Sequence, residues 1–393
     1  MQKKKLIIML VLLLTVFNVG TSFAYWATQI NGNNANANAE LSVGQWIVVP
    51  PGSTVVTEEV LIQLLSGELP LDGDYVLTGD VDLSDYEDNA FEPIVDFTGT
   101  FNGNGFTIGG FEIINTSTDS NEEVGMFLNV GSDAEISDIT VSDVTIVQND
   151  GSTGNNTSET TYVGVLVGNN QGTISNIEVT GSTVEAGNTV NGVLGTGSMT
   201  LYAGGLVGRN NGTIINSYAR VNVTLNSSVS ASWFGSGTAN IYVGGLVGYN
   251  AGTISQSYST GNVTSNVDTS TSGWGASLSI NTFTGGLVGL NVSGGYVHHV
   301  FATGNINVNV DTSSGSRYIG RVVGRNQGTT ASLYRLNTST ITCNQSYTNY
   351  TTNTTSATMA NLQSQTYLTN NLGFDFVEVW QTVPSNYPII KQN

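Results

Sequence analysis

Tyr242-Val243-Gly244-Gly245-Leu246-Val247-Gly248-Tyr249-Asn250-Ala251-Gly252-Thr253-Ile254 is the stretch that decides the fold. β-Favouring residues run into an Asn-x-Gly step and resume at Thr253, which reads as strand, turn, strand. Glycine turns the corner at no Cβ cost. The opening heptad recurs at Tyr162–Gly168, Tyr202–Gly208, Phe283–Gly289 and Tyr318–Gly324, with spacings of 40, 40, 41 and 35 residues. A degenerate copy stands at Gly125-Met126-Phe127-Leu128. Regular self-similarity at this period means a solenoid, propeller or array.

Alternation assigns the faces. The residue between Gly248 and Asn250 varies freely among copies (Asn169, Arg209, Tyr249, Leu290, Arg325), so it faces water. Side chains two and four positions back share that face. This predicts that Tyr242, Gly244, Leu246 and Gly248 point inward. The Val167, Val207, Val247, Val288 and Val323 column then faces outward, with Val243.

A propeller blade and a solenoid coil both fit the repeat length. The upstream run Phe97–Ile108 (Phe-Thr-Gly-Thr-Phe-Asn-Gly-Asn-Gly-Phe-Thr-Ile) resembles an opening coil of pectate-lyase-like β-helices, and Tyr75–Leu83 precedes it as such coils often do. Unrepeated leading coils suit an open stack and not a closed ring. The expected architecture is therefore all-β, a right-handed parallel β-helix of the pectate-lyase kind with capped ends. Each repeat is read as two coils of about 20 residues. Thr57-Glu58-Glu59 followed by Val60, Leu61, Leu64 and Leu65 predicts a short capped helix over the N-terminal end. Residues 357–393, rich in Phe374, Phe376, Trp380 and Tyr387, are expected to close the other end as an aromatic cap.

Lys3, Lys4 and Lys5, then the apolar run Leu6–Val16 and Ser22-Phe23-Ala24, read as a secretory signal peptide over 1–24. The alternative is a retained anchor, but the run is shorter than the roughly 20 residues a bilayer needs. A flexible segment over 25–56 follows, with Asn/Ala/Gly-rich sequence at 31–38. The β-helix is placed at 57–356, with repeats near 162–184, 202–224, 242–264, 283–308 and 318–347.

Two strings carry a family resemblance: Gly244-Gly245-Leu246-Val247-Gly248-x-Asn250-x-Gly252-x-Ile254 and Tyr258-x-Thr260-Gly261-Asn262-Val263. They resemble the GLUG motif of bacterial surface and secreted proteins. The resemblance implies an exported, adhesin-like protein. It also touches large IgA-cleaving metallopeptidases, whose chemistry needs His-Glu-x-x-His. Here His298 and His299 are adjacent and Val300 follows, so that activity does not carry over. The stretch from Ala24 to Trp46 resembles the leader junction of TasA/camelysin-type exported proteins of Gram-positive bacteria.

Composition narrows the chemistry. One Cys among 393 residues excludes a disulfide scaffold. A formal charge of −19 argues against nucleic acid as a partner. Residues 40–150 hold 22 of the 29 acids. Asp72, Asp74, Asp80 and Asp82 lie in the densest group, whose oxygens suit Ca2+; the plainer reading is a solvated acidic surface. No other cofactor is indicated. The middle repeats carry few acids and none at two-residue spacing, which argues against the paired carboxylates of a glycosidase.

Aromatic columns are the candidate binding elements. Trp233 precedes Tyr242 by nine residues and Trp274 precedes Phe283 by nine, so the two Trp should stack one repeat apart. Tyr218, Tyr258 and Phe301 form a second column. Such faces receive sugars or a partner chain, or else fill corners of the core. Strand alternation sends His298 and His299 to opposite faces and denies them a shared metal.

The resulting expectation is a non-enzymatic cell-surface or matrix protein binding extracellular glycan or protein ligands, with no transmembrane span once the signal is cleaved. A carbohydrate-active β-helix enzyme and a self-associating structural rod are the alternatives.

Overall fold

A computed structural model describes residues 47, 49–85, 92–116, 121–153, 157–350 and 353–391. The signal-peptide and leader readings lie outside these residues. Among the described residues no helix is long and apolar enough to cross a membrane.

One repeat shows how the chain winds. Val207–Asn210 leads through a corner to Thr213–Ile215 and Tyr218–Ala219, then to the long strands Asn222–Ser232 and Ser236–Gly244. Val247–Asn250 then lies directly beside Val207–Asn210, in parallel, with Val207 opposite Val247 and Asn210 opposite Asn250. Ile214 pairs with Ile254, Tyr218 with Tyr258, Val223 with Val263 and Tyr202 with Tyr242. The winding is the expected parallel β-helix, but each repeat is one coil and not two. Four sheets meet at the corners, and all the inter-coil strand pairing is parallel. The sheet from Thr54–Val56 to Thr355–Ala357 has ten rungs. At about 4.8 Å per rung the stack is roughly 45 Å tall.

The interior corrects the face assignment in part. Leu166, Leu206, Leu246 and Leu287 are fully buried, as expected. Val167, Val207, Val247 and Val288 are equally buried, and Val243 also points in. Tyr242 instead lies on the outer side of its strand, half-buried. The cause is the Gly244-Gly245 corner. A Cβ on Gly244 would sit 2.1 Å from the Val247 carbonyl oxygen, so the chain turns where only glycine fits. Alternation restarts after that turn, and counting back through it from Tyr249 gives the wrong face.

The outward Tyr column is a stacked ladder. Tyr162, Tyr202, Tyr242, Phe283 and Tyr318 follow one another at centroid distances of 5.0, 4.8, 4.6 and 5.2 Å. Arg325 lies 4.4 Å over the Tyr318 ring. Such cross-strand pairs are the unit of sheet stabilisation.

The Asn that follows each heptad forms a second ladder, buried at Asn170, Asn210, Asn250 and Asn291. Asn170 Nδ2 donates to Asn210 Oδ1 (2.7 Å), Asn210 to Asn250, Asn250 to Asn291 and Asn291 to Asn326 (2.8 Å each). Each of Asn170, Asn210 and Asn250 also donates to the carbonyl of the glycine two residues on. A buried amide demands these partners, and the repeat supplies them from itself.

The helix Glu58–Leu65 forms as predicted. Thr57 Oγ1 accepts the Val60 N–H at its N-terminus, and Leu61, Leu64 and Leu65 are buried. The C-terminal segment departs from expectation. It forms the helices Met359–Leu362 and Gln365–Leu372 and an antiparallel pair of Trp380–Gln381 with Ile389–Ile390. This segment does not simply close the end: it runs back along the long side of the stack. Leu368, Leu372, Phe374 and Trp380 pack there with Tyr218, Tyr258 and Phe301. The Ile390 N–H reaches the Glu178 carboxylate, 212 residues earlier in the chain.

Candidate functional site

The two long strands of each coil meet at a tip, and three successive tips carry exposed apolar side chains. Strand register defines them. Val193 pairs with Ser232 and Ser232 with Ser272; Thr196 pairs with Ser236 and Ser236 with Ser277. The tips are therefore Leu194-Gly195, Trp233-Phe234-Gly235 and Gly273-Trp274-Gly275-Ala276, one residue longer at each coil. Leu194 is 71% exposed, Trp233 57%, Phe234 72% and Trp274 80%.

This lengthening corrects the expected Trp stack. Trp233 stands level with Gly273, and the Phe234 N–H donates to the Trp274 carbonyl at 2.8 Å. Among the described residues no ring contact joins the two Trp. The aromatic rings instead lie on the glycines of the next coil. A Cβ on Gly273 would come within 3.0 Å of Trp233 Cδ2, and one on Gly275 within 2.5 Å of Phe234 Cδ1. Gly-Trp-Gly at 273–275 is thus the seat for the tip below.

Leu194, Trp233 and Phe234 also hold positive φ, at 58°, 45° and 67°. Bulky residues resist this region, at a cost of order 1–3 kcal/mol each. Leu194 and Phe234 escaped the sequence reading. Aligning the tips from the upstream strand, and not from Tyr242 and Phe283, would have placed both beside Trp233.

Tyr218 and Tyr258 are placed otherwise than a binding face requires. They stack with each other at 4.6 Å, and Tyr258 stacks on Phe301 at 4.5 Å. Trp380 covers both Tyr rings, at 6.1 and 5.8 Å, so neither is accessible. Arg220 ties the cover down: its Nη2 donates to Tyr258 Oη (3.0 Å) and to the carbonyls of Tyr387 (3.1 Å) and Pro388 (3.3 Å). These rings belong to an internal seam, the corner-filling role.

Glu178 lies in the same seam. Burial raises its carboxyl above the ordinary range, against hydrogen bonds from Tyr218 and Ile390 and the charge of Arg220. A carboxyl whose folded value exceeds its unfolded one holds its proton longer in the native state. Its contribution is then full below the unfolded value near 4.5 and is lost as pH rises through the folded value. The C-terminal segment should accordingly be better protected from hydrogen exchange near pH 4.5 than at pH 7. Glu178→Gln, which keeps an acceptor for Ile390, should flatten that dependence; an unchanged pH profile in this variant would count against the assignment.

Three of the four acids proposed for calcium accept hydrogen bonds from the chain. Asp74 Oδ1 accepts from the Thr100 hydroxyl (2.7 Å), Asp80 Oδ1 from the Thr107 N–H (2.8 Å) and Asp82 Oδ1 from the Ser84 N–H (3.0 Å). The Ser84 backbone and side chain hold the Asp82 carboxyl below its usual range. Asp80 and Asp82 line an open groove with Asp143. Among the described residues no three or more His, Cys, Asp or Glu converge to hold a metal ion, so Asp72, Asp74, Asp80 and Asp82 do not form the expected site.

The GLUG motif matches residues 199–224 and 239–264. The chain carries GLUG repeats. The two GLUG segments build corners and ladders, and both stop short of Trp233 and Phe234, which lie between them. Residues in this chain are also 34% identical over 134 positions to halomucin of Haloquadratum walsbyi (strain DSM 16790 / HBSQ001). That alignment covers 32% of this chain and spans only 1% of halomucin. Among solved structures, the fold resembles a Bacteroides ovatus protein provisionally named an immunoglobulin A1 protease, with a TM-score of 0.53 over 87% of this chain and 93% of that one. At 14% identity this likeness shows the fold alone.

Proposed function

We propose that this GLUG-repeat β-helix is a non-enzymatic protein of the cell surface or extracellular matrix that adheres to ligands through the Leu194–Trp233–Phe234–Trp274 ridge. One observation carries the reading. Four large apolar side chains stand in water at consecutive tips, three of them in a backbone conformation that such residues resist. Exposed apolar patches and local strain both concentrate at binding sites. The scaffold repeats from coil to coil, while the ridge lies outside the matched motif, as a specificity element would.

Glycan is the ligand class that fits best. Aromatic faces receive the apolar face of a sugar ring. Hydroxyls flank the ridge: Ser230, Ser232, Ser236, Ser270, Ser272 and Ser277. The about 4.8 Å rise between coils is close to the length of one sugar unit in an extended chain. An extracellular protein ligand is the other occupant. Protease chemistry of the His-Glu-x-x-His kind lacks its residues here, since the two His are neighbours in sequence.

The test is a glycan and matrix-protein array probed with the protein and with a Trp233→Ser/Phe234→Ser/Trp274→Ser variant. A reproducible hit should weaken at least about tenfold, while stability changes by only about 0.5 kcal/mol per exposed site. Equal retention by the variant would remove the ridge as the binding face.

A further inference from the structure

The two histidines of the chain form a pair that strand alternation forbids. His298 Nδ1 and His299 Nδ1 lie 2.8 Å apart. The reason is a kink shared by the stack. His299 has φ 56°, and the same corner is occupied at positive φ by Asp138, Asn176, Asn216, Gln256 and Ser332. The register shows it: His298 pairs with Ala331 and Val300 with Leu333, while His299 turns out of the strand. Consecutive residues 298 and 299 are thereby both half-exposed, flanked by buried Val297 and Val300.

We propose that His298 and His299 are a two-imidazole binding site for a divalent first-row cation of tetragonal preference, Cu2+ or Ni2+. Geometry selects the class. With metal–nitrogen bonds of about 2.0–2.1 Å, a 2.8 Å separation subtends about 86° at the metal. A tetrahedral ion such as Zn2+ would need the nitrogens about 3.3 Å apart. The near-right angle fits adjacent positions of a square-planar or tetragonal centre, the geometry Cu2+ and Ni2+ prefer with N and O donors.

The rings are held for this arrangement. Tyr296 stacks on His298 with centroids 4.2 Å apart and planes 24° apart. His299 stands at 75° to His298, so the two Nδ1 atoms converge while the ring faces do not compete. Without metal, one Nδ1–H donates to the other Nδ1 across the same gap. On binding, the donor ring moves its proton from Nδ1 to Nε2, both Nδ1 lone pairs take the cation, and water completes its coordination from the open side.

Cu2+ titration of the full-length protein, read by electron paramagnetic resonance, tests the site directly. The chain holds no other histidine, so nitrogen couplings from imidazole can arise only here. His298→Ser and His299→Asn are the informative variants. Ser255 occupies the place paired with His298, and Asn216 holds the His299 corner in an earlier coil, so the fold accepts both. The expected result is one equivalent of Cu2+ with two-imidazole coupling, and an affinity falling roughly tenfold or more in either variant. A carboxylate-only spectrum, a single-imidazole spectrum, or equal affinity in the double variant would overturn the proposal. A circular-dichroism melt of each variant confirms that the coils remain folded.

Discussion

Leu246→Asp should abolish cooperative folding of the coil stack. Leu246 is fully buried, and its backbone carbonyl accepts the N–H groups of Leu206 and Val207 from the coil beneath. Leu206 below and Leu287 above occupy the same column, so a carboxylate there meets only hydrocarbon. Among the described residues that line this cluster there is no cation to pair with it. An unpaired charge in such a place costs several kcal/mol, about 4 or more, at the upper end of single substitutions. A solenoid amplifies the damage because each coil is held only by its neighbours. The defect should split the stack into two weaker halves. Denaturant unfolding followed by far-ultraviolet circular dichroism should show lost amplitude or a second transition. Trp274→Asp, at an exposed tip, is the control and should melt like the parent.

Trp380→Ala should free the C-terminal segment. Trp380 is fully buried, lies 4.7 Å from the Phe374 ring, and covers the Tyr218–Tyr258 stack. Removing a buried Trp side chain costs about 3–5 kcal/mol. The segment's remaining polar ties are Arg220 on the carbonyls of Tyr387 and Pro388, the Tyr258 hydroxyl on the Pro388 carbonyl, Glu178 on Ile390, the Gln256 amide on Gly373 and the Tyr334 hydroxyl on Asn371. The loss should therefore appear first as local opening. Limited proteolysis should release the region after Ala357 while the coils stay intact, and a dye for exposed apolar surface should bind the uncovered Tyr rings. Simultaneous loss of segment and coils would show instead that the two fold as one unit.

The period, the parallel winding and the buried Leu column were all legible in the sequence. They follow from local chemistry repeated at a fixed interval, which periodicity reports well. The features that escaped share a different cause. Coil length was halved because the repeat does not reveal how many corners it contains. Val247 was turned outward because alternation was carried through Gly244-Gly245, where the chain bends. The His pair was separated for the same reason, at the positive-φ corner of His299. Tyr218 and Tyr258 were offered as a surface because nothing local shows that residues more than 120 positions later lie over them. Phe234 was passed over because the growing tips shift the register by one residue per coil.

The Asn ladder has a consequence for how such a chain can change. Every buried amide passes its hydrogen bond to the next in the same direction, from Asn170 toward Asn326. A whole repeat copied or lost in frame therefore restores every partner, whereas a single inserted residue within a ladder strand breaks the row on both sides. Recombination between repeats becomes a ruler with one graduation, a single coil. Lineages can lengthen or shorten the stack in those steps and leave the tips, which lie outside the ladder, free to vary.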